Sequence, residues 1–161
     1  MIKALLFDWG NTVMIDFNLP GPMFEWKKAA WVFGAEDSLR ELSLTYACYI
    51  ATNAGQSDSS MVLKGLKRVG ADKYFSGIFT SSDIGFEKPD LRFFQEIVCK
   101  LSIPVDEFVM IGDNYLKDIE GAKSCGMKTI FYDPKRKPGH YPMADIIIHS
   151  MKDLPAAIRN L

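Results

Sequence analysis

The chain has 161 residues, of which 48% are hydrophobic and 24% are charged. This length suits one globular domain with a sizeable core, and the composition argues against disorder, collagen and coiled coil. Its 19 basic and 20 acidic residues give a net charge of -1, so charge gives no reason to expect a nucleic-acid or membrane partner.

Localisation is indicated by the cysteines and by the N-terminus. Three cysteines without metal-type spacing argue against a disulfide framework. No apolar stretch approaches the ~20 residues of a membrane span, and the first residues lack the long apolar region of a signal peptide. We therefore expect a soluble, cytoplasmic protein.

Short apolar segments alternate with amphipathic ones along the chain. Segments that are short and almost continuously hydrophobic are predicted as strands buried on both faces: Ile2–Phe7, Thr45–Ala51, Gly77–Thr80, Phe108–Ile111, Lys128–Tyr132 and Asp145–His149. Helical patterns lie between and after them: Ser57–Val69, Asp90–Leu101, Leu116–Cys125 and Asp153–Leu161. This alternation predicts an α/β fold with a doubly wound, mostly parallel sheet.

Residues from about 15 to 40 interrupt the alternation and carry two prolines and a group of large apolar side chains. We interpret them as a short cap-like insertion within a single domain spanning residues 1–161. The large side chains in it are Phe17, Met23, Phe24, Trp26, Trp31 and Phe33. They are expected either to pack on the core of their own domain or to form a lid or a homodimer contact.

Polar residues follow the predicted strands where each one ends. Asp8 follows the first strand, Thr52 and Asn53 follow the second, and Lys88 comes shortly after the third. Asp113 follows the fourth strand, with Asp118 five residues later. Because parallel strands end at one edge of the sheet, these residues are predicted to form a single site.

The residue types at this edge indicate phosphoryl chemistry. Three crowded carboxylates repel one another unless a cation lies among them, and all-oxygen ligands favour Mg²⁺. Lys88 supplies a second positive charge, and the Thr52 hydroxyl can donate to a phosphoryl oxygen. A carboxylate nucleophile beside a metal ion and an ammonium group predicts an aspartyl-phosphate mechanism.

The same residues, in this order, resemble the haloacid dehalogenase-like (HAD) superfamily of hydrolases. The resemblance is carried by Asp8-Trp9-Gly10-Asn11-Thr12, by Thr52-Asn53, by Lys88 before Pro89-Asp90, and by Gly112-Asp113 with Asp118. It implies a Rossmannoid HAD-like fold with a minimal cap. It also implies a Mg²⁺-dependent phosphatase acting on a phosphorylated small molecule.

The resemblance assigns a role to each residue. Asp8 would be the nucleophile and a metal ligand, with Asp113 and the main-chain carbonyl of Gly10 as further ligands. Thr52 and Asn53 would hold the phosphoryl group, and Lys88 would neutralise its charge. Asp118 would bind a metal-bound water or orient Lys88.

Gly10 departs from the pattern, because phosphomonoesterases of the superfamily usually carry an acid–base aspartate there. Three explanations stay open: another group such as Asp16 substitutes, the leaving group needs no protonation, or catalysis is lost. The last of these would make the protein a catalytically weak or inactive binding module.

Overall fold

The computed structural model describes residues 1–161 and contains a six-stranded sheet in the order β3-β2-β1-β4-β5-β6. All five strand pairings are parallel, which confirms the predicted doubly wound α/β fold. The strands are β1 (Ala4–Phe7), β2 (Ala47–Thr52), β3 (Gly77–Thr80), β4 (Phe108–Gly112), β5 (Lys128–Tyr132) and β6 (Ile146–Ile148).

Helices cover both faces of the sheet. They are α1 (Ala35–Leu42), α2 (Ser59–Lys67), α3 (Ser81–Ile84), α4 (Leu91–Leu101), α5 (Gly121–Cys125) and α6 (Leu154–Arg159). A π-helical turn, Tyr115–Glu120, leads directly into α5, and short 3₁₀ turns lie at Met23–Glu25, Asp72–Tyr74, Val105–Glu107 and Met151–Asp153. None of the helices is long and apolar enough to cross a membrane.

Alternate residues of the central strands β1, β2 and β4 point into two separate apolar cores. In β1, Leu5 and Phe7 join the core beneath α1, α2 and α6, whereas Ala4 and Leu6 join the core beneath α4 and α5. Burial on both faces explains why the strands are almost continuously hydrophobic in sequence.

The range predicted as an insertion contains an irregular segment followed by the start of a helix. Residues 15–34 are mostly irregular, but α1 begins at Ala35 and packs Leu39 and Leu42 into the larger core. This helix was not predicted, and its first residues lie inside the range predicted as an insertion. The single-domain division and the cap role of residues 15–40 stay predictions.

The irregular segment packs against α2 of its own chain. The indole N–H of Trp31 donates to the carbonyl of Val69 at 3.0 Å, and the Arg68 guanidinium donates to the carbonyl of Phe24. Phe33, in contrast, is 75% exposed and lies beneath the Lys152 ammonium. Most of the large side chains in this segment therefore contact their own domain.

Gly65 allows α2 to approach the loop after β1, and it provides a test of this packing. A Cβ at Gly65 would lie 2.5 Å from the ring of buried Trp9 and 3.5 Å from Cβ of Phe24. Alanine normally stabilises a helix by about 1 kcal/mol over glycine. We expect the overlap to dominate, so that Gly65→Ala lowers the free energy of unfolding by about 1–3 kcal/mol in urea denaturation.

Lys67→Ala, at an exposed position of the same helix, is the control and should change stability by less than about 0.5 kcal/mol. A stabilised Gly65→Ala protein would contradict the close approach of α2 to Trp9.

Candidate active site

The site lies where the order of the sheet reverses, between β1 and β4. These strands pair with Phe7 opposite Ile111, so the residues that follow them, Asp8 and Asp113, emerge side by side. The Asp8 N–H continues the ladder by donating to the carbonyl of Ile111 at 2.9 Å. Such reversals leave a crevice at the carboxyl ends of the strands, which is where ligands bind in open α/β sheets.

Lys88 is one of two almost fully buried charged residues at this edge, with only 2% of its side chain exposed against 1% for Asp118. Its ammonium donates to Oδ1 of Asp8 at 2.9 Å, to Oδ1 of Asp118 at 2.6 Å and to the carbonyl of Ala51 at 2.8 Å. All three of its N–H bonds are therefore used. A lysine can be buried in this way only because carboxylates and a carbonyl compensate the loss of water.

Asp118 is held from both sides by the protein. Its Oδ1 accepts from Lys88, and its Oδ2 accepts from the N–H of Asn114 at 2.9 Å. The π-helical turn brings it back over Gly112, where any Cβ would collide with its carboxylate. Gly112 is thus required by close approach, and both oxygens of Asp118 have donors within the protein.

The three carboxylates are close enough to perturb one another. Asp8, Asp113 and Asp118 each offer an oxygen within 4.8 Å of the others. Burial, reinforced by the charge of Asp8, raises the pKa of Asp113 to about 6. Burial also raises the pKa of Asp118, against the opposing charge of Lys88.

The pKa of Lys88 is also set by burial and by neighbouring charges acting in opposite directions. Burial alone would lower it, but the charges of Asp118 and Asp8 raise it above its usual value. Lys88 therefore stays charged, yet one ammonium does not neutralise three carboxylates. A site with this excess of negative charge favours a further cation.

The other side of the site carries hydrogen-bond donors. The Thr52 hydroxyl is nearly buried, and no group of the protein bonds to it. Beside it, the main-chain N–H groups of Asn53 and Ala54 have no acceptor within the protein. These donors line the same cleft as Asp8 and could bind the oxygens of an anion.

The side chain of Asn53 is engaged elsewhere. Its Oδ1 accepts from the N–H of Lys88 and its Nδ2 donates to the carbonyl of Lys88, both at 2.8 Å. This pair of hydrogen bonds fixes the main chain from which the Lys88 ammonium projects. Asn53 contributes to the site by holding Lys88 and by offering its own N–H.

The cleft above these residues has a volume of about 850 Å³. Its floor contains Asp8, Thr52, Lys88 and Asp113, and one wall is formed by residues 21–26 of the irregular segment. Every residue predicted for the site lines this cleft: Asp8, Gly10, Thr52, Asn53, Lys88, Asp113 and Asp118.

The sequence profile of the haloacid dehalogenase-like hydrolases matches residues 23–132 of the chain. The chain belongs to the haloacid dehalogenase-like hydrolase family. The matched range contains Lys88 and Asp113 but begins after Asp8, so the position of Asp8 in the site follows from the geometry above.

Individual relatives agree with this family assignment. Glyceraldehyde 3-phosphate phosphatase from Methanothermobacter thermautotrophicus is 37% identical over 65 residues, covering 40% of this chain and 29% of that protein. Pyrimidine 5'-nucleotidase PynA from Streptococcus pneumoniae is 31% identical over 109 residues, covering 66% and 45%. YfnB from Bacillus subtilis is 32% identical over 106 residues, covering 65% and 44%. The chain thus matches less than half the length of these relatives.

A solved structure of YfnB has the same fold. It superimposes with a TM-score of 0.81 at 21% identity, covering 99% of each chain. The HAD-like, Rossmannoid fold predicted from the motifs is therefore confirmed.

Three contributors to this HAD-family site were not predicted. The Ala51 carbonyl and the Asn114 N–H are main-chain groups, which no residue-type pattern identifies. The third is Thr12, whose hydroxyl donates to Oδ1 of Asp113 at 3.2 Å. Its fixed spacing from Asp8 was the only available signal.

The hydrogen bonds between Asn53 and Lys88 can be tested through stability. Asn53→Ala removes both bonds and leaves the partly buried main chain of Lys88 without partners. We expect the free energy of unfolding to fall by about 1–3 kcal/mol in urea denaturation. Asn160→Ala, at an exposed asparagine whose side chain bonds to nothing, is the matched control and should be near neutral. Equal stability of the two variants would contradict the structural role of Asn53.

Proposed function

We propose that this chain is a Mg²⁺-dependent phosphatase that hydrolyses a phosphorylated small molecule through an aspartyl-phosphate intermediate on Asp8. The observation that carries the proposal is the buried Lys88 ammonium, held between Asp8 and Asp118 at the floor of a polar cleft. A fixed positive charge touching a carboxylate nucleophile suits a reaction in which phosphate charge approaches that carboxylate.

The donor set fits Mg²⁺. Asp8 and Asp113 supply carboxylate oxygens, and the Gly10 carbonyl lines the same cleft and accepts no hydrogen bond. Both oxygens of Asp118 already have donors within the protein, so we assign it to orienting Lys88. The solved YfnB is bound to magnesium, which supports the same choice here. When bound, the ion would polarise a phosphoryl oxygen and offset the charge of the carboxylates.

The remaining steps of the reaction are assigned to residues of the chain itself. Oδ1 of Asp8 is held by Lys88, whereas Oδ2 accepts no hydrogen bond and is available to attack. The Asp8 Oδ2–phosphorus bond forms as the ester oxygen–phosphorus bond breaks, and the leaving alkoxide takes the ester electrons and then a proton from solvent. Lys88, the Thr52 hydroxyl and the N–H of Asn53 stabilise the charge on the phosphoryl oxygens. Water then attacks phosphorus and releases inorganic phosphate and Asp8.

The names of relatives support a phosphomonoester substrate. They include phosphatases of glyceraldehyde 3-phosphate, phosphoserine and ribulose 1,5-bisphosphate, and a pyrimidine 5'-nucleotidase. A cleft of about 850 Å³ is large enough for a molecule of this size. We assign no individual substrate, and a homodimer contact stays a prediction.

The proposal predicts Mg²⁺-dependent phosphate release from a panel of sugar phosphates, nucleotides, phosphoserine and acyl phosphates. Asp8→Asn keeps the size of the side chain but removes the nucleophile, and should lower turnover by at least about 10³-fold. Asp106→Asn, at an exposed position outside the cleft, is the control and should retain turnover.

Turnover that survives Asp8→Asn would contradict the mechanism. Saturable binding of phosphate without hydrolysis of any panel member would favour the catalytically weak binding module instead.

A second prediction concerns metal binding. At about 100 times Kd, Mg²⁺ contributes about 2.7 kcal/mol to folding, which should raise Tm by about 5 °C or more relative to EDTA. Asp113→Asn should lose this shift because it removes a ligand. In EDTA the variant should melt at or above the wild-type temperature, because one of three mutually repelling carboxylates is gone.

Asp106→Asn should keep the full magnesium shift. A normal shift in Asp113→Asn, measured by differential scanning fluorimetry, would place the ion elsewhere.

A further inference from the structure

We propose that Asp16 is the general base that activates water for hydrolysis of the aspartyl phosphate. This inference rests on the proposed function and assigns a residue to its second step. The decisive observation is spatial: a Cβ built at Gly10 would lie 3.5 Å from Cβ of Asp16 and 3.8 Å from its Oδ2. The Asp16 carboxylate therefore lies next to the volume that a side chain at position 10 would occupy.

The loop that carries Asp16 is fixed by hydrogen bonds rather than extended into solvent. The Asn11 N–H donates to the Met14 carbonyl, and the Asn11 side chain accepts from the N–H of Asp16 at 2.9 Å. The next contact restrains the carboxylate itself, because Oδ1 of Asp16 accepts from the Asn18 N–H at 2.7 Å. Oδ2 has no donor and remains able to accept a proton.

The other acidic groups of the cleft are engaged or assigned. Asp8 is the nucleophile, Asp113 accepts from Thr12, and Asp118 bonds to Lys88 and Asn114. Among the acidic residues that line the cleft, Asp16 and Glu25 remain. Glu25 lies on the wall formed by residues 21–26. Asp16 instead lies beside Gly10, and Gly10 is only two residues after Asp8 in the chain.

The proposed step balances without any further reactant. Oδ2 of Asp16 takes a proton from water as the water oxygen forms a bond to phosphorus. The bond between phosphorus and Oδ2 of Asp8 breaks, so that Asp8 regains its carboxylate and inorganic phosphate leaves. Asp16 then returns its proton to solvent, to which it is exposed.

The test uses pre-steady-state kinetics with p-nitrophenyl phosphate and Mg²⁺, because nitrophenolate leaves without needing a proton donor. In Asp16→Asn, formation of the phosphoenzyme should be retained while its hydrolysis slows by about 10²-fold or more. We expect a burst of nearly one nitrophenolate per chain, followed by slow turnover. Acid quenching and intact-mass measurement should then find phosphorylated protein.

Gly10→Asp in the Asp16→Asn background tests the position of the carboxylate. The nearest atoms to a Cβ at residue 10 lie at ordinary contact distances, so a Cβ there causes no overlap. This double variant should regain at least about 10-fold in phosphoenzyme hydrolysis. Glu25→Gln tests the other unassigned carboxylate of the cleft and should show no burst, and Asp106→Asn, at an exposed position outside the cleft, is the control for turnover.

The outcomes separate this assignment from the proposed function. An Asp16→Asn protein with unchanged turnover, a burst in Glu25→Gln instead, or a folded double variant that stays slow would each overturn the role of Asp16. Turnover that survives Asp8→Asn would instead overturn the phosphatase mechanism itself, because no phosphoenzyme on Asp8 would then be needed.

Discussion

The site depends on keeping one charged lysine out of water. Burying the Lys88 ammonium is costly, and the cost is offset because Asp8, Asp118 and the Ala51 carbonyl accept all of its hydrogen bonds. Neighbouring features serve this arrangement: Asn53 fixes the Lys88 main chain, Asn114 holds the second oxygen of Asp118, and Gly112 leaves room for that carboxylate. The result is that the carboxylate of Asp8, the proposed nucleophile, is oriented before any substrate binds.

The parallel sheet makes this network possible by bringing distant parts of the chain together. Pairing of β1 with β4 puts Asp8 beside Asp113, and β2 on the other side of β1 supplies the Ala51 carbonyl and Thr52. Because the central strands are buried on both faces, a one-residue shift in register would exchange the side chains that fill the two cores as well as misplace the site. Core packing and site geometry are therefore determined by the same pairings.

Much of this could be predicted from sequence, for physical reasons that differ between residues. Continuous apolar runs identified the six strands, and the polar residues at their ends identified Asp8, Thr52, Lys88 and Asp113, because parallel strands end at one edge. The start of α1 could not be separated from the irregular segment, since its buried face becomes recognisable only when packed on the sheet. The use of the Asn53 side chain was equally hidden, because its partners are main-chain groups of Lys88.

The segment after β1 contributes both Asp16 and one wall of the cleft, a connection that the sequence alone did not indicate. Residues 10–16 are held by bonds within the loop, and the chain then continues into the wall formed by residues 21–26, which packs on α2. Most of the floor of the cleft comes from strand ends, whereas Asp16 and the wall come from one irregular segment. Changes in that segment would act on the shape of the cleft and on the proposed role of Asp16 together, without disturbing Lys88 or the sheet. The missing side chain at Gly10 is thus best understood together with this segment, because the space it leaves borders the Asp16 carboxylate.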